Sequence, residues 1–142
     1  MQQSIAEPER HARNWRIASW ALLATWLGCA ALVMNRFRGG FVTNYGADLT
    51  QPGWLYIIAR DLPGSGRASV IKRMIGSRPE TAALVIFLAG TLTEVSQRFW
   101  PGGMFAGRFD LYDVVAFACS IGVCYVFDKY LTSRPGNGDV AL

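Results

Sequence analysis

Charge, histidine and cysteine are all scarce in this chain. Of its 142 residues, 17% are Asp, Glu, Lys or Arg, against about 25% in an average soluble domain. Its one histidine, His11, stands in a basic N-terminal stretch, and no nucleophile motif accompanies the acids further along. That argues against His-assisted nucleophilic catalysis. Cys29, Cys119 and Cys124 all lie within apolar stretches and lack metal-ligand spacing. They read as packing thiols, so neither a disulfide nor a metal site is expected. Trp26-Leu27-Gly28 before Cys29 is a poor lipidation signal, because the apolar run continues past the cysteine. No basic tract interleaved with aromatics is present, so the net charge of +4 does not point to nucleic acid.

Apolar residues make up 51% of the chain, and they are unevenly spread. Ile17 to Met34 is an uncharged run of 18, long enough for a membrane helix. Thr81 to Thr93 is uncharged, as is Val114 to Phe127. Phe41 to Ala59 carries one charge, Asp48, and has Pro52 near its middle. Its apolar core, Trp54 to Ala59, covers only roughly 9 Å at helical rise. The expected fold is all-α, a polytopic bundle over 15–131 with four membrane segments. Residues 1–14 read as a cytoplasmic tail, and 132–142 as a flexible C-terminal tail.

Loop charges favour four crossings over three. With four, and both termini cytoplasmic, ten of the 14 basic residues fall on the inner side. Arg36, Arg38, Arg98 and Arg108 remain outside. With three crossings, seven positives from Arg36 to Arg78 share one loop, opposite a tail of three. Membrane proteins keep Lys and Arg on the cytoplasmic side. Local signals agree. Ser77-Arg78-Pro79-Glu80 reads as a capping box opening the third helix. Trp15 and Tyr130 suit the inner interface, Trp100 and Tyr112 the outer one. Ala24-x-x-x-Gly28 and Ala118-x-x-x-Gly122 are spacings that let helices approach closely. Pro63 to Gly66 marks a loop, and Ser69 to Ile75 a short basic interfacial helix.

The chemistry is concentrated in the polar bridge from Thr93 to Asp113. Ionisable groups at the ends of apolar segments are costly and need a reason. Glu94, Gln97 and Arg98 share one helix face at spacings of three and four. Asp110 and Asp113 are three apart at the start of the last helix. A short Gly-rich loop, Pro101 to Gly107, holds the two helix ends together. Glu94, Gln97, Arg98, Arg108, Asp110 and Asp113 can then converge as a ligand-binding set. Plainer readings stand beside this one. Asp110 suits an N-cap, and Asp113 suits the first turn of a helix. Glu94 and Arg98 suit an i,i+4 ion pair, Arg108 a partner for Asp110, and Asp48 a loop or capping role.

The pattern Glu94-x-x-Gln97, a Pro/Gly loop, then Arg108-x-Asp110-x-x-Asp113 opening an apolar helix resembles the VanZ-like family of small bacterial membrane proteins. The similarity covers Glu94 to Gly122, about a fifth of the chain. Family members usually carry Asn four residues after the last Asp, where this chain has Phe117. The glycine usual three residues further on is Ser120 here. The resemblance implies a multi-pass protein of the bacterial inner membrane. Some members are linked to resistance to glycopeptide antibiotics such as teicoplanin, and most have no known biochemical activity.

Two functional classes follow. In the first, an outward-facing polar site binds an envelope-lipid or glycan headgroup. In the second, the bridge is a structural clasp within a membrane assembly. Clustered carboxylates holding a metal for phosphoester chemistry are the weaker, enzymatic reading. No cofactor is expected. The expected surroundings are the lipid bilayer, with membrane-protein partners or further copies of the chain as candidates.

Overall fold

The computed structural model describes residues 6–37, 40–62, 70, 74–100 and 109–132. Among the described residues, four long helices follow one another: α1 (Ala6–Met34), α2 (Phe41–Arg60), α3 (Pro79–Phe99) and α4 (Leu111–Thr132). No strand occurs among the described residues, so the all-α expectation holds. Among the described residues, two stretches are long and apolar enough to cross a membrane, Glu9–Met34 in α1 and Leu111–Tyr130 in α4. The loops Pro63–Gly66 and Pro101–Gly107, the 69–75 helix and the tail beyond Thr132 fall wholly or largely outside the described residues.

The second apolar segment is one continuous helix with Pro52 inside it. Pro52 has no N–H to offer the Asp48 carbonyl. The helix still runs for 20 residues, about 30 Å at helical rise, because Pro52 is buried among neighbours that hold it. Asp48 therefore stands inside a helix, and the loop position expected for it is corrected. α1 and α2 stop in the same way. Arg36 N–H meets the Val33 carbonyl at 3.1 Å and Phe37 N–H meets Leu32 at 3.0 Å. After α2, Asp61 N–H meets Ile58 at 2.9 Å and Leu62 N–H meets Ile57 at 3.2 Å. These paired bonds satisfy the last carbonyls of each helix. They force Arg36 and Asp61 to φ values of 61° and 50°, a region costly for residues with a Cβ.

α3 begins at Pro79, as the Ser-Arg-Pro-Glu signal predicts, but without a capping box. Arg78 occupies the N-cap with no side-chain cap bond. The Glu80 carboxylate turns instead to α4, where it accepts from Lys129 Nζ at 2.9 Å.

The helices alternate in direction. The starts of α1 and α3 lie with the ends of α2 and α4, and we refer to this as the basic end. The opposite, acidic end gathers the ends of α1 and α3 and the starts of α2 and α4. α2 is central: among the described helices it packs against α1, α3 and α4, whereas α1 packs against α2 alone. Trp26 of α1 stacks on Trp54 of α2 at 6.1 Å. The buried cluster, Tyr56, Ile57, Ala82, Ile121 and Cys124, lies where α2, α3 and α4 meet.

Close helix approach occurs at glycines other than the expected ones. A Cβ on Gly53 would lie 2.8 Å from Ser120 Oγ, and one on Gly90 would lie 2.8 Å from the Phe117 ring. Gly28 and Gly122 have nothing within 4 Å of that position. The small-residue spacings in α1 and α4 therefore do not mediate contacts, because those faces point outward. The same is true of many large apolar side chains. Ile17, Trp20 and Leu27 on α1, and Val115, Val126 and Phe127 on α4, are all exposed. Among the described residues, only Tyr56 and Ile57 are large side chains buried completely. This is the reverse of a soluble core, in which such side chains are mostly inside.

Candidate functional site

The acidic end holds most of the residues that the sequence singles out. Glu94 lies in the penultimate turn of α3 and is only 6% exposed. Gln97, one turn on, donates from Nε2 to Glu94 Oε1 at 3.4 Å. The Asp110 backbone N–H reaches Glu94 Oε2 at 3.5 Å. Both bonds are long for N–H···O. A nearly buried carboxylate is thus held by two weak donors, one from its own helix and one from the start of α4.

The other expected members divide. The Asp110 side chain caps α4, accepting from the Tyr112 N–H at 2.9 Å. Its plainer reading is the one realised, although its amide still ties it to Glu94. Asp113 lies one turn further along, near the carboxyl of Asp48 on α2. Asp48 also lies near Glu94. The central helix thus contributes an acid that the sequence reading demoted. Arg98 is exposed. Among the described residues the ion pairs are Arg60–Asp128 and Lys129–Glu80, so the expected Glu94–Arg98 pair does not form. Helical spacing put Glu94 and Arg98 on one face, but burial separates them: one turns inward and the other outward. Arg108 lies outside the described residues, so its role and its pairing with Asp110 stay as sequence expectations. Aromatics ring this end, with Tyr45 against Phe41 at 5.2 Å and against Tyr112 at 6.2 Å.

A second polar cluster, absent from the sequence reading, lies at the basic end. Asp128 of α4 is 2% exposed. Its Oδ2 accepts from Arg60 Nε at 2.6 Å and from Tyr56 Oη at 2.8 Å. Arg60 Nη1 also donates to the Gly76 carbonyl, just before α3. One guanidinium therefore joins the ends of α2 and α4 to the start of α3. The sequence offered a signal for this. Asp128 directly follows the uncharged run Val114 to Phe127, and the argument applied to Glu94 applies equally there. In the loop-charge count Arg60 is simply one of the ten inner basic residues. Beside this cluster, Lys129 lies over the Tyr125 ring at 5.4 Å and pairs with Glu80 on an exposed surface.

The two clusters differ in what they can do. At the basic end, the Arg60–Asp128 pair and Tyr56 satisfy one another, as structural groups do. At the acidic end, carboxylates predominate, and they only accept when ionised. Their natural ligands are donors such as hydroxyl or ammonium groups. Among the described residues, no group of three or more His, Cys, Asp or Glu has the geometry to hold a metal ion. No protein-family model, curated protein or solved structure matches the chain.

Proposed function

We propose that this chain is a VanZ-like multi-pass protein of the bacterial inner membrane. In this reading it crosses four times with both termini cytoplasmic, and its acidic end faces the envelope. Asp48, Glu94, Gln97 and Asp113 form a pocket that binds a hydroxyl- or amine-bearing headgroup of an envelope lipid or glycan. The observation that carries the reading is Glu94: a carboxylate 94% removed from solvent whose donors stand at 3.4 and 3.5 Å. Burying a charge so loosely satisfied is costly, and a ligand donor would offset that cost. The exposed apolar faces of α1 and α4 support the membrane setting.

The pocket is tested by co-purification. Wild-type, Glu94→Gln and Asp113→Asn proteins are extracted from the same membranes and checked for equal helicity. Their bound headgroups are then identified by mass spectrometry. Wild-type protein should retain a hydroxyl- or amine-bearing headgroup that both variants lose; equal retention sinks the pocket. Sidedness has its own test. Cysteines at Gly66→Cys and Gly103→Cys should react with an impermeant reagent from opposite sides of the membrane. Labelling from one side contradicts the topology.

The structural-clasp reading keeps one observation of its own, the Asp110–Glu94 bond that links α3 to α4. In that reading Glu94→Gln should lower stability and leave headgroup retention unchanged.

A further inference from the structure

The acidic pocket stands over a second feature. Between α2 and α3 lies a groove of ≈ 420 Å³, with Phe117 of α4 also lining it. We propose that the headgroup held by the pocket belongs to a lipid, and that one acyl chain of the same lipid lies in this groove. The inference rests on the pocket of the proposed function and adds the class of its ligand: a lipid, and not a free glycan.

Each wall of the groove leads to a residue of the pocket. On α2 it is lined by Pro52, Leu55 and Ala59, and Asp48 stands one turn before Pro52 on the same stripe. On α3 it is lined by Ile86, Ala89 and Thr93, and Gln97 is the next position along that stripe. Gly90, a further lining residue, is one turn before Glu94. The lining residue of α4, Phe117, is one turn after Asp113. Three helices thus place the top of the groove one turn beneath the pocket.

Polarity and depth select the occupant. Of the described residues that line the groove, only Gln51 and Thr93 carry polar side chains, and both lie at the pocket end. The Thr93 hydroxyl is already committed, donating to the Gly90 carbonyl at 2.6 Å. Below them the lining is wholly apolar, down to Ala59 on α2 and Val85 on α3. A sugar laid there would bury hydroxyls without partners, which is costly. A hydrocarbon chain has none to bury. Gln51 to Ala59 covers about 12 Å at helical rise, as does Val85 to Thr93. That is most of the ~15 Å depth of one leaflet. Leu55, Ile58 and Val85 are exposed along the groove, so a chain can enter it sideways while its headgroup moves into the pocket.

The experiment uses the full chain in detergent, read by native mass spectrometry. Two probes, lysophosphatidylethanolamine and lysophosphatidylglycerol, carry one chain on an amine or a hydroxyl headgroup. Two more, glycerophosphoethanolamine and glycerophosphoglycerol, are the same headgroups without a chain. At least one lysolipid should be retained about tenfold or more better than its chain-free headgroup. Ala89→Trp, at an exposed position on the α3 wall, and Ile58→Trp, at a position 50% exposed on the α2 wall, fill the groove and leave the pocket residues in place. Each should keep wild-type helicity and lower retention of that lysolipid about tenfold, and Glu94→Gln should lower it as well. Equal retention of lysolipid and chain-free headgroup, lost in Glu94→Gln, overturns the groove and keeps the pocket. Lysolipid retention lost in both tryptophan variants but unchanged in Glu94→Gln and Asp113→Asn removes the pocket, and with it the single lipid shared by both. Retention that survives both tryptophans overturns the proposal, as does retention of neither lysolipid. A dimer that Ala89→Trp disperses also overturns it, in favour of a second copy in the groove.

Discussion

Replacing Asp128 by Asn is the most informative single change at the basic end. The substitution keeps an oxygen for the Tyr56 hydroxyl, which now donates to Asp128 at 2.8 Å. It removes the negative charge that faces Arg60 at 2.6 Å. The Arg60 side chain is 13% exposed and that of Asp128 3%, so the guanidinium is left charged in a largely dry place. Breaking a buried pair by removing one partner costs about 3–5 kcal/mol in proteins. Two features move the value toward the lower limit. Arg60 lies in the last turn of α2, where its long side chain can turn out toward water. It also keeps the Gly76 carbonyl. We therefore expect Asp128→Asn to cost about 3 kcal/mol. Asp128→Ala should cost roughly 1 kcal/mol more, because Tyr56 then loses its acceptor. The assay is SDS titration in mixed micelles followed by far-UV circular dichroism. The double variant Arg60→Gln/Asp128→Asn should lose less than the sum of the two single losses, since it strands no charge. A loss below about 0.5 kcal/mol for Asp128→Asn, or strict additivity in the cycle, would refute the argument that the pair holds α2 to α4.

Four further changes are read by the same titration. Gly90→Ala places a methyl 2.8 Å from the Phe117 ring and should cost about 1–3 kcal/mol; adding Phe117→Leu should recover part of it, and no recovery would locate the strain elsewhere. Arg36→Gly relieves a left-handed residue at φ 61° and should stabilise the chain by about 1 kcal/mol; a loss would mean that the Arg36 side chain matters more than its backbone. Asp110→Ala removes the cap on Tyr112 N–H and should cost about 1 kcal/mol, whereas Asp110→Asn should be nearly neutral; equal losses would show that the charge, and not the cap, is what α4 needs. Lys129→Ala breaks an exposed pair with Glu80 and should cost less than about 1 kcal/mol; a larger loss would make that pair part of the core.

Hydropathy made the helices legible. All four apolar stretches are helical, and α3 starts at the proline that marks it. Much of the acidic end was legible too, because helical spacing alone puts Glu94 beside Gln97, and Asp110 at the mouth of α4. What could not be read was which side of each helix turns inward. Spacing set Arg98 on the face of Glu94, yet one is exposed and the other buried. Small-residue spacing in α1 and α4 promised close contacts, yet the close approaches are at Gly53 and Gly90, where Ser120 and Phe117 press in. Phe117 is the position at which the VanZ-like pattern has Asn. Here its ring covers Gly90, a packing role that an amide would fill poorly. Asp48 and Asp128 were missed for a related reason. Each acquires its partner from another helix, and a single helix carries no record of its neighbours.

The Arg60–Asp128 pair joins residues 68 positions apart, and that separation is also an interval of time. At ~5–20 residues per second of synthesis, Asp128 emerges roughly 3–14 s after Arg60. The carbonyl of Gly76, only 16 residues on, is available much sooner. For those seconds Arg60 lacks the Asp128 carboxylate with which it pairs in the finished fold. The contact that ties α2 to α4 cannot form until the last helix is made, so the middle of the bundle is among the last parts to be fixed.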